Sequence, residues 1–456
     1  MLNTDDTILA PATAVGVGAI AIIRISGSTA LECLERCFTP ARTPSILQSH
    51  VLTYGTIENK HGIAIDHVMA VYMQAPASFT CEDVVEIHCH SNTFVVRQIL
   101  ELFVEMGCRL AEAGEFTYRA FMHGRIDLSE AEAIAELIDA GSITSARVAM
   151  QHLNGGISAI AAELHEQLVQ MAALVEAYLD FPEEEVDFVN VDTLISRVDT
   201  VFSTLDSILS TFYAGKVLRE GLSVLILGEP NVGKSSLLNN LLGYDRAIVS
   251  DTPGTTRDFI EEQITLGHLP IRLVDTAGLR TSSDAIEQTG VQFARDKASS
   301  VDLILYVVDG SLPQVSLSAA AEFFDSDIPV IVVVNKADKF TDKGFNAECF
   351  GLKHPFVCIS ALTGFGIDVL KEKVEREFSV PATSDSSVLT EKRHFDIFSQ
   401  VRNDIVSLKQ GLAEQLPGEL LACHIYAAMS SLGRITGETV PEDILNQIFS
   451  KFCVGK

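Results

Sequence analysis

At 456 residues the chain is too long for one ordinary core and predicts two or three domains. Acidic residues outnumber basic ones 61 to 33, a formal charge of −28. That field disfavours broad adhesion to nucleic acid or to anionic membranes, so a nucleic-acid substrate would need a local patch or a basic partner. No apolar run approaches transmembrane length, and the N-terminus does not read as a signal peptide. Nine cysteines without framework spacing fit free thiols in a reducing cytoplasm.

Residues 1–118 read as a mixed α/β domain. Ala19 to Ile25, Val68 to Tyr72 and Val84 to His88 are strand candidates, and Thr93 to Met106 has helical spacing. Two stretches hold more placed polar groups than a scaffold needs: Ser78 to His90, and Gly114 to Phe121 running on to Gly124-Arg125-Ile126-Asp127. His88 and His90 share a strand face with Cys81 and Cys89 nearby, which raises a metal site. Without paired C-x-x-C or H-E-x-x-H spacing, strand residues lining a pocket are the better reading. Cys33 and Cys37 read as one helix face.

From 119 to 215 the chain reads as helices. Ala131, Ile134, Leu137 and Ile138 form one stripe; Ile160, Leu164, Leu168, Met171, Val175 and Tyr178 form another. After a break at Phe181-Pro182, Leu194, Val198, Val201, Leu205, Ile208 and Phe212 repeat by fours and threes, as in an antiparallel bundle.

Residues 216–384 alternate strands and helices, which predicts a parallel sheet covered on both faces. Leu222 to Leu227 leads into Gly228-Glu229-Pro230-Asn231-Val232-Gly233-Lys234-Ser235-Ser236 and a helix start, the strand–loop–helix setting of a phosphate-binding P-loop. Lys234 brings a point charge, and the Ser235 hydroxyl suits Mg²⁺. Gly254-Thr255-Thr256 supplies a threonine, Thr256, for a second Mg²⁺ position. Asp275-Thr276-Ala277-Gly278 closes one strand, its carboxylate suited to a Mg²⁺-bound water and its glycine N–H to a γ-phosphate. Asn335-Lys336-Ala337-Asp338 closes another; the Asp338 carboxylate can accept two N–H donors from guanine, a pair that adenine does not offer. Ser360-Ala361-Leu362 closes a third and suits the guanine carbonyl. These elements, in order and each at a strand end, predict GTP binding. Where a Ras-type enzyme carries a water-positioning glutamine, this chain has Leu279; the acidic candidate in the following stretch is Glu287. Arg257 and Arg280 are candidates for an in-chain arginine finger or are simply solvated.

Pro381 to Ser387 reads as a linker, and helical periodicity resumes over 385–456 at Phe395, Phe398, Val401 and Ile405 and from Leu420 to Leu432. The nucleotide-binding domain therefore reads as an insertion in a helical domain with halves at 119–215 and 385–456. The apolar Phe452-Cys453-Val454 at the very end suggests docking, with an available thiol.

With these residues in view, the chain resembles the MnmE (TrmE) family of tRNA-modification GTPases over essentially its whole length. The resemblance rests on Gly-Ala-Ile-Ala-Ile-Ile-Arg-Ile-Ser-Gly at 18–27, the Glu82-to-His90 stretch, Gly114-Glu115-Phe116, Glu130-Ala131-Glu132-Ala133-Ile134, the inserted G domain and the terminal Cys-Val-Gly-Lys. It departs from the family pattern at Cys81, where glycine is usual, at Ser91-Asn92 in place of a glycine pair, and at Val454 in place of isoleucine.

The resemblance implies a homodimer built through the N-terminal domain, a 5-formyltetrahydrofolate-type ligand, and an FAD-dependent partner, MnmG, in a heterotetramer. It implies installation of an aminomethyl or carboxymethylaminomethyl group on the wobble uridine of certain tRNAs. Carried over by motif, the folate residues would be Arg24, Glu86, Arg125 and Lys456, and the catalytic ones Glu287 and Cys453. A K⁺ would be held by Asn231 with groups around Ser250, Thr252 and Thr255. Two other readings compete: a ribosome-assembly GTPase, against which the charge of −28 argues, and a regulatory switch whose N-terminal domain only dimerises.

Overall fold

The computed structural model describes residues 6–14, 16, 18–42, 47–180, 191–244, 262–266, 269–274, 301–312, 328–340, 355–378 and 388–455. The chain divides into two units, one of residues 1–135, 152–189 and 415–456, the other of 136–151 and 190–414.

The first unit is built on a seven-stranded sheet of order β3-β4-β5-β6-β2-β1-β7. In sequence the strands are β1 (Ile8–Pro11), β2 (Ile20–Ser26), β3 (Phe38–Pro40), β4 (Thr53–Glu58), β5 (Ala64–Met73), β6 (Val84–His90) and β7 (Arg109–Leu110). Every pairing is antiparallel except β1 with β7. Strict alternation on β2 and β6 sends Ile23, Ile25, Val85 and Ile87 into the core, where they meet α1 (Ala30–Glu35) and α2 (Thr93–Glu105) through Leu34, Ile99 and Phe103. Arg24, Glu86 and His88 stand on the opposite face.

Ser91-Asn92, before α2, has a local use. The Asn92 side chain caps α2, accepting from the N–H groups of Phe94 and Val95 at 2.9 and 3.4 Å, which glycine cannot do.

Three further helices complete this unit's apolar core near the chain end. They are α3 (Glu115–Met122), the N-terminal turns of α4 (Leu128–Asp139), and a final helix at Glu442–Phe449. Tyr118, Leu128, Ala131, Leu445, Phe449 and Phe452 pack together, and the Tyr118 and Phe449 rings meet edge to face at 5.3 Å.

In the second unit, β8 (Leu222–Gly228), β9 (Glu262–Leu266), β10 (Leu269–Val274), β11 (Leu303–Asp309), β12 (Val330–Asn335) and β13 (Phe356–Cys358) form a sheet of order β13-β12-β11-β8-β10-β9. It is parallel apart from the edge strand β9, which runs antiparallel to β10 and so departs from the all-parallel expectation. Both faces are buried, one under Leu237, Leu238, Leu370 and Val374 and the other around Tyr306, Val332 and Val334. The covering residues of the first face come from α9 (Lys234–Tyr244) and α10 (Ile367–Phe378).

The sequence's helical stripes pair across the insertion. In the first unit α6 (Gly156–Asp180) packs on α12 (Gly418–Thr436), which precedes the final helix, α13. In the second, α7 (Val191–Ser210) packs on α11 (Lys392–Ala413), Val198, Val201 and Leu205 facing a buried row of Phe398, Val401 and Ile405. The remaining helices, α5 (Ile143–Leu153) and α8 (Phe212–Glu220), also belong to the second unit.

Candidate functional site

The parallel register of β8, β11, β12 and β13 brings the loops that follow β8, β12 and β13 to one end of the second unit's sheet. Between β8 and α9, the Lys234 ammonium donates to the carbonyls of Gly228 and Glu229, both at 2.8 Å. Ser235 and Ser236 are exposed in the first turn of α9, where backbone N–H groups and the helix dipole favour an anion. Asn231 takes a left-handed conformation, φ 60°.

A single buried amide ties this loop to the other two. Asn335 Nδ2 donates to the Val232 carbonyl at 2.8 Å, while its Oδ1 accepts from the Ala361 N–H at 2.9 Å. From α9, Asn240 Nδ2 donates to the Ala361 carbonyl at 3.0 Å. The Ser360 hydroxyl donates to Asp338 Oδ1 at 2.5 Å, and Leu362 is exposed. Lys336, left-handed at φ 66°, reaches the Asn231 carbonyl at 2.9 Å and Asp309 Oδ2 at 2.5 Å. Burial alone would push the Asp309 carboxyl up. The hydrogen bonds from Lys336 and Ser311, with the Lys336 charge, outweigh it and hold the carboxyl below its ordinary value of 3.8.

Asn231, Val232, Gly233, Lys234, Asn335, Lys336, Asp338, Ser360 and Ala361 thus lie on three loops that Asn335, Lys336 and Asn240 tie by hydrogen bonds into one group. Ser250, Thr252, Thr255, Thr256, Asp275, Thr276, Ala277, Gly278, Leu279, Glu287 and Lys456 lie outside the described residues. Asp309 was missed in the sequence; the available signal was an Asp-Gly pair closing a buried strand.

In the first unit, Arg24 and Glu86 are directly opposite on β2 and β6, and Arg24 Nε donates to Glu86 Oε1 at 2.8 Å. They are 23% and 18% exposed, so the pair keeps an opening to solvent. The Phe79 and Phe116 rings lie 5.7 and 5.8 Å from the guanidinium. Arg125 is exposed in the turn after α3.

Beside this pair lies an ionic cluster that sequence reasoning did not resolve. Arg119 is fully buried and bonds Asp6 Oδ1 at 2.7 Å, Glu82 Oε1 at 3.1 Å and Glu115 Oε1 at 3.1 Å. Arg109 bonds Glu115 at 2.6 Å and Asp6 at 2.7 Å, and Glu82 also accepts from the Ser26 hydroxyl at 2.6 Å. Glu115 and Arg119 are one helical turn apart, a visible signal; Asp6 and Glu82 join them only through the fold. Cys81 is left-handed with φ 61°.

The C-terminal tail docks on the first unit. Phe452 is buried against Phe449, Val454 forms an antiparallel bridge with Ala113, and the Gly114 N–H donates to the Cys453 carbonyl at 3.4 Å. Gly114, φ 69°, is required there: a Cβ would sit 2.5 Å from the Phe449 carbonyl oxygen. Gly455 passes Pro11 so closely that a Cβ would lie 2.0 Å from its carbonyl oxygen. Pro11 follows Ala10, the β1 partner of Arg24, so the tail ends beside the strand pair that carries Arg24. The Cys453 thiol is exposed.

A phosphate loop between a parallel strand and a helix, with Asn-Lys-x-Asp and Ser-Ala-Leu loops bonded to it, defines a P-loop GTPase. Residues 7–125 match the family described as GTP-binding protein TrmE N-terminus, and residues 128–453 match the MnmE helical domain. The chain is 44% identical over 460 residues to the tRNA modification GTPase MnmE of Syntrophotalea carbinolica, covering the whole of both. It is 41% identical over 464 residues to that of Geobacter sulfurreducens, again covering all of both. The chain belongs to the MnmE family of tRNA modification GTPases. Among solved structures it is similar to the G domain of the T. maritima FeoB iron transporter, at 29% identity and TM-score 0.25, covering 35% of this chain and 98% of that one. Among the described residues, no helix is long and apolar enough to cross a membrane.

Proposed function

We propose that this chain hydrolyses GTP and, with the FAD-dependent MnmG protein, adds an aminomethyl or carboxymethylaminomethyl group to C5 of the wobble uridine in certain tRNAs, using a folate one-carbon donor. The observation that carries the reading is the tail: Cys453 lies exposed on a segment docked against Ala113 and against Pro11 of β1, the strand next to the one that bears Arg24. The domains are 1–118 for folate binding and homodimerisation, 119–215 and 385–456 for the helical domain, and 216–384 for the G domain. The acidic chain leaves tRNA to be held with the help of a basic partner surface.

The residues fit the groups they are proposed to hold. Arg24 and Glu86, partly open to solvent and flanked by two aromatic rings, offer opposite charges with apolar walls to a pterin and its anionic tail. Arg125 and Lys456 complete that set, and the folate would supply the one-carbon unit. Ser235 and Thr256 would hold Mg²⁺, and Asn231 with Ser250, Thr252 and Thr255 a K⁺. Glu287 positions the attacking water, because Leu279 has no polar group to do so. The remaining residues of the hydrogen-bonded group bind GTP, with Asp338 selecting guanine.

Deleting residues 453–456 tests the reading. The variant should hydrolyse GTP nearly normally, while nucleoside analysis of tRNA from cells carrying it should show loss of the wobble-uridine modification. Full modification by the truncated protein would refute it. The mutual pairing of Arg24 and Glu86 favours a second reading, an N-terminal domain that only dimerises. Absence of folate binding by the full-length protein would establish that alternative.

A further inference from the structure

We propose that Asp309 is a positioning residue for the purine base, acting through Lys336. This rests on the guanine-nucleotide reading of the site given above.

Lysine carries a long side chain with much rotamer entropy, and an unfixed one makes a poor wall for a ligand. Lys336 is fixed at its head. Its ammonium bridges the Asn231 carbonyl at 2.9 Å and Asp309 Oδ2 at 2.5 Å. Its left-handed backbone, φ 66°, starts the side chain from the end of β12. Held at both ends, the methylene stem keeps few rotamers and offers an apolar edge of the kind on which an aromatic ring lies.

Asp309 is itself held. Its other oxygen accepts from the Ser311 N–H at 3.0 Å and the Ser311 hydroxyl at 2.6 Å. It sits directly opposite Asn335 in the β11–β12 register, and the Gly310 N–H donates to the Asn335 carbonyl at 2.9 Å. The carboxylate is only 11% exposed, against 25% for the lysine, so water screens the pair weakly. Asp309 also gives the ammonium a counter-charge at a site that is to receive a polyanion. Without it, the nucleotide's own phosphates would compete for the ammonium, and the stem would leave the base.

The test is a double-mutant cycle in the full-length protein, read by GDP affinity and by steady-state GTP hydrolysis. Asp309→Asn keeps an oxygen for Ser311 but removes the charge. GDP affinity should fall about tenfold, KM for GTP should rise in parallel, and kcat should stay within about twofold, the pattern of a lost ground-state contact. In a Lys336→Met background, which keeps an apolar stem without the ammonium, Asp309→Asn should change GDP affinity less than twofold. Asp309→Glu retains the charge, and should bind GDP more tightly than Asp309→Asn; it carries the test if the asparagine variant does not fold.

Equal losses in both backgrounds would show that Asp309 supports the site independently of Lys336, and would overturn the proposal. So would an Asp309→Asn protein with unchanged GDP affinity, or an Asp309→Glu protein no better than the asparagine one. Competition of GDP against ADP on the unaltered protein separates the underlying reading. If neither is preferred, the guanine assignment fails; if GDP is preferred and the cycle is additive, only the role of Asp309 fails.

Discussion

Gly114→Ala and Gly124→Ala form a matched pair that isolates the docking of the chain end. Both glycines are left-handed, at φ 69° and 68°, so alanine at either one meets the same backbone penalty of about 1–2 kcal/mol. They differ in surroundings. A Cβ at 124 meets nothing within 4 Å, whereas one at 114 falls 2.5 Å from the Phe449 carbonyl oxygen and 3.0 Å from Phe452 Cβ. Backbone cannot move aside as a flexible side chain can, and forced overpacking of this kind costs about 1–3 kcal/mol more. Gly114→Ala should therefore exceed Gly124→Ala by that increment. Hydrogen exchange read on residues 437–455 supplies the assay, since Phe452 N–H bonds the Phe449 carbonyl at 3.0 Å and its exchange reports opening of the docked end. Protection there should be about 5- to 140-fold lower in Gly114→Ala than in Gly124→Ala, at about 1.4 kcal/mol per factor of ten. Equal protection in the two variants would refute the argument that Gly114 is needed for the close approach of α13.

Cys81→Gly should stabilise the first unit by about 1 kcal/mol or less, because it removes a left-handed penalty at φ 61° but frees the unfolded chain; a lower thermal midpoint would contradict this. Acid should weaken the same unit. Burial would raise the Asp6 carboxyl, but hydrogen bonds and charge from Arg109 and Arg119 outweigh it and hold it below 3.8. A carboxyl depressed in the folded state contributes stability above its unfolded value, and that stability is lost as pH falls through the folded one. Denaturation midpoints should thus drop below about pH 4, and Asp6→Asn should flatten the slope.

The sequence made plain whatever depends on local pattern. β8, β11 and β12 are continuous apolar runs because both their faces are covered, and α6, α7, α11 and α12 carry regular stripes. Their loop motifs were legible for the same reason: each closes a recognisable strand. β1, β3 and β7, at four, three and two residues, carry too little pattern to be seen and exist only through pairing. β9, Glu-Gln-Ile-Thr-Leu, has only two apolar residues in five and lies at an edge, so nothing in it resembles its buried neighbours. In the site, Arg24 and Glu86 stood out as charges in apolar strands, but their alignment follows from the β2–β6 register. The Arg119 cluster joins Asp6, 113 residues away, and no spacing rule connects them. Asp309 likewise gains its partner only from the side-by-side placement of two parallel strands.

The pairing of helices across the insertion also bears on the order in which the chain can be completed during synthesis. The second unit's sheet is drawn from one continuous stretch, 222–358, and can assemble as soon as that stretch has emerged. α6 cannot do the same, because its partner α12 begins at residue 418, long after α6 ends at 180. Its apolar stripe must wait through the making of an entire domain, with the exposure to misassociation that such delay brings. For α6 the wait ends with α12; the cluster that α3 and α4 leave open waits longer still, for Phe449 and Phe452. A nascent chain that has emerged only as far as residue 440 would therefore hold a finished nucleotide-binding sheet and an N-terminal unit whose cluster still lacks Phe449 and Phe452.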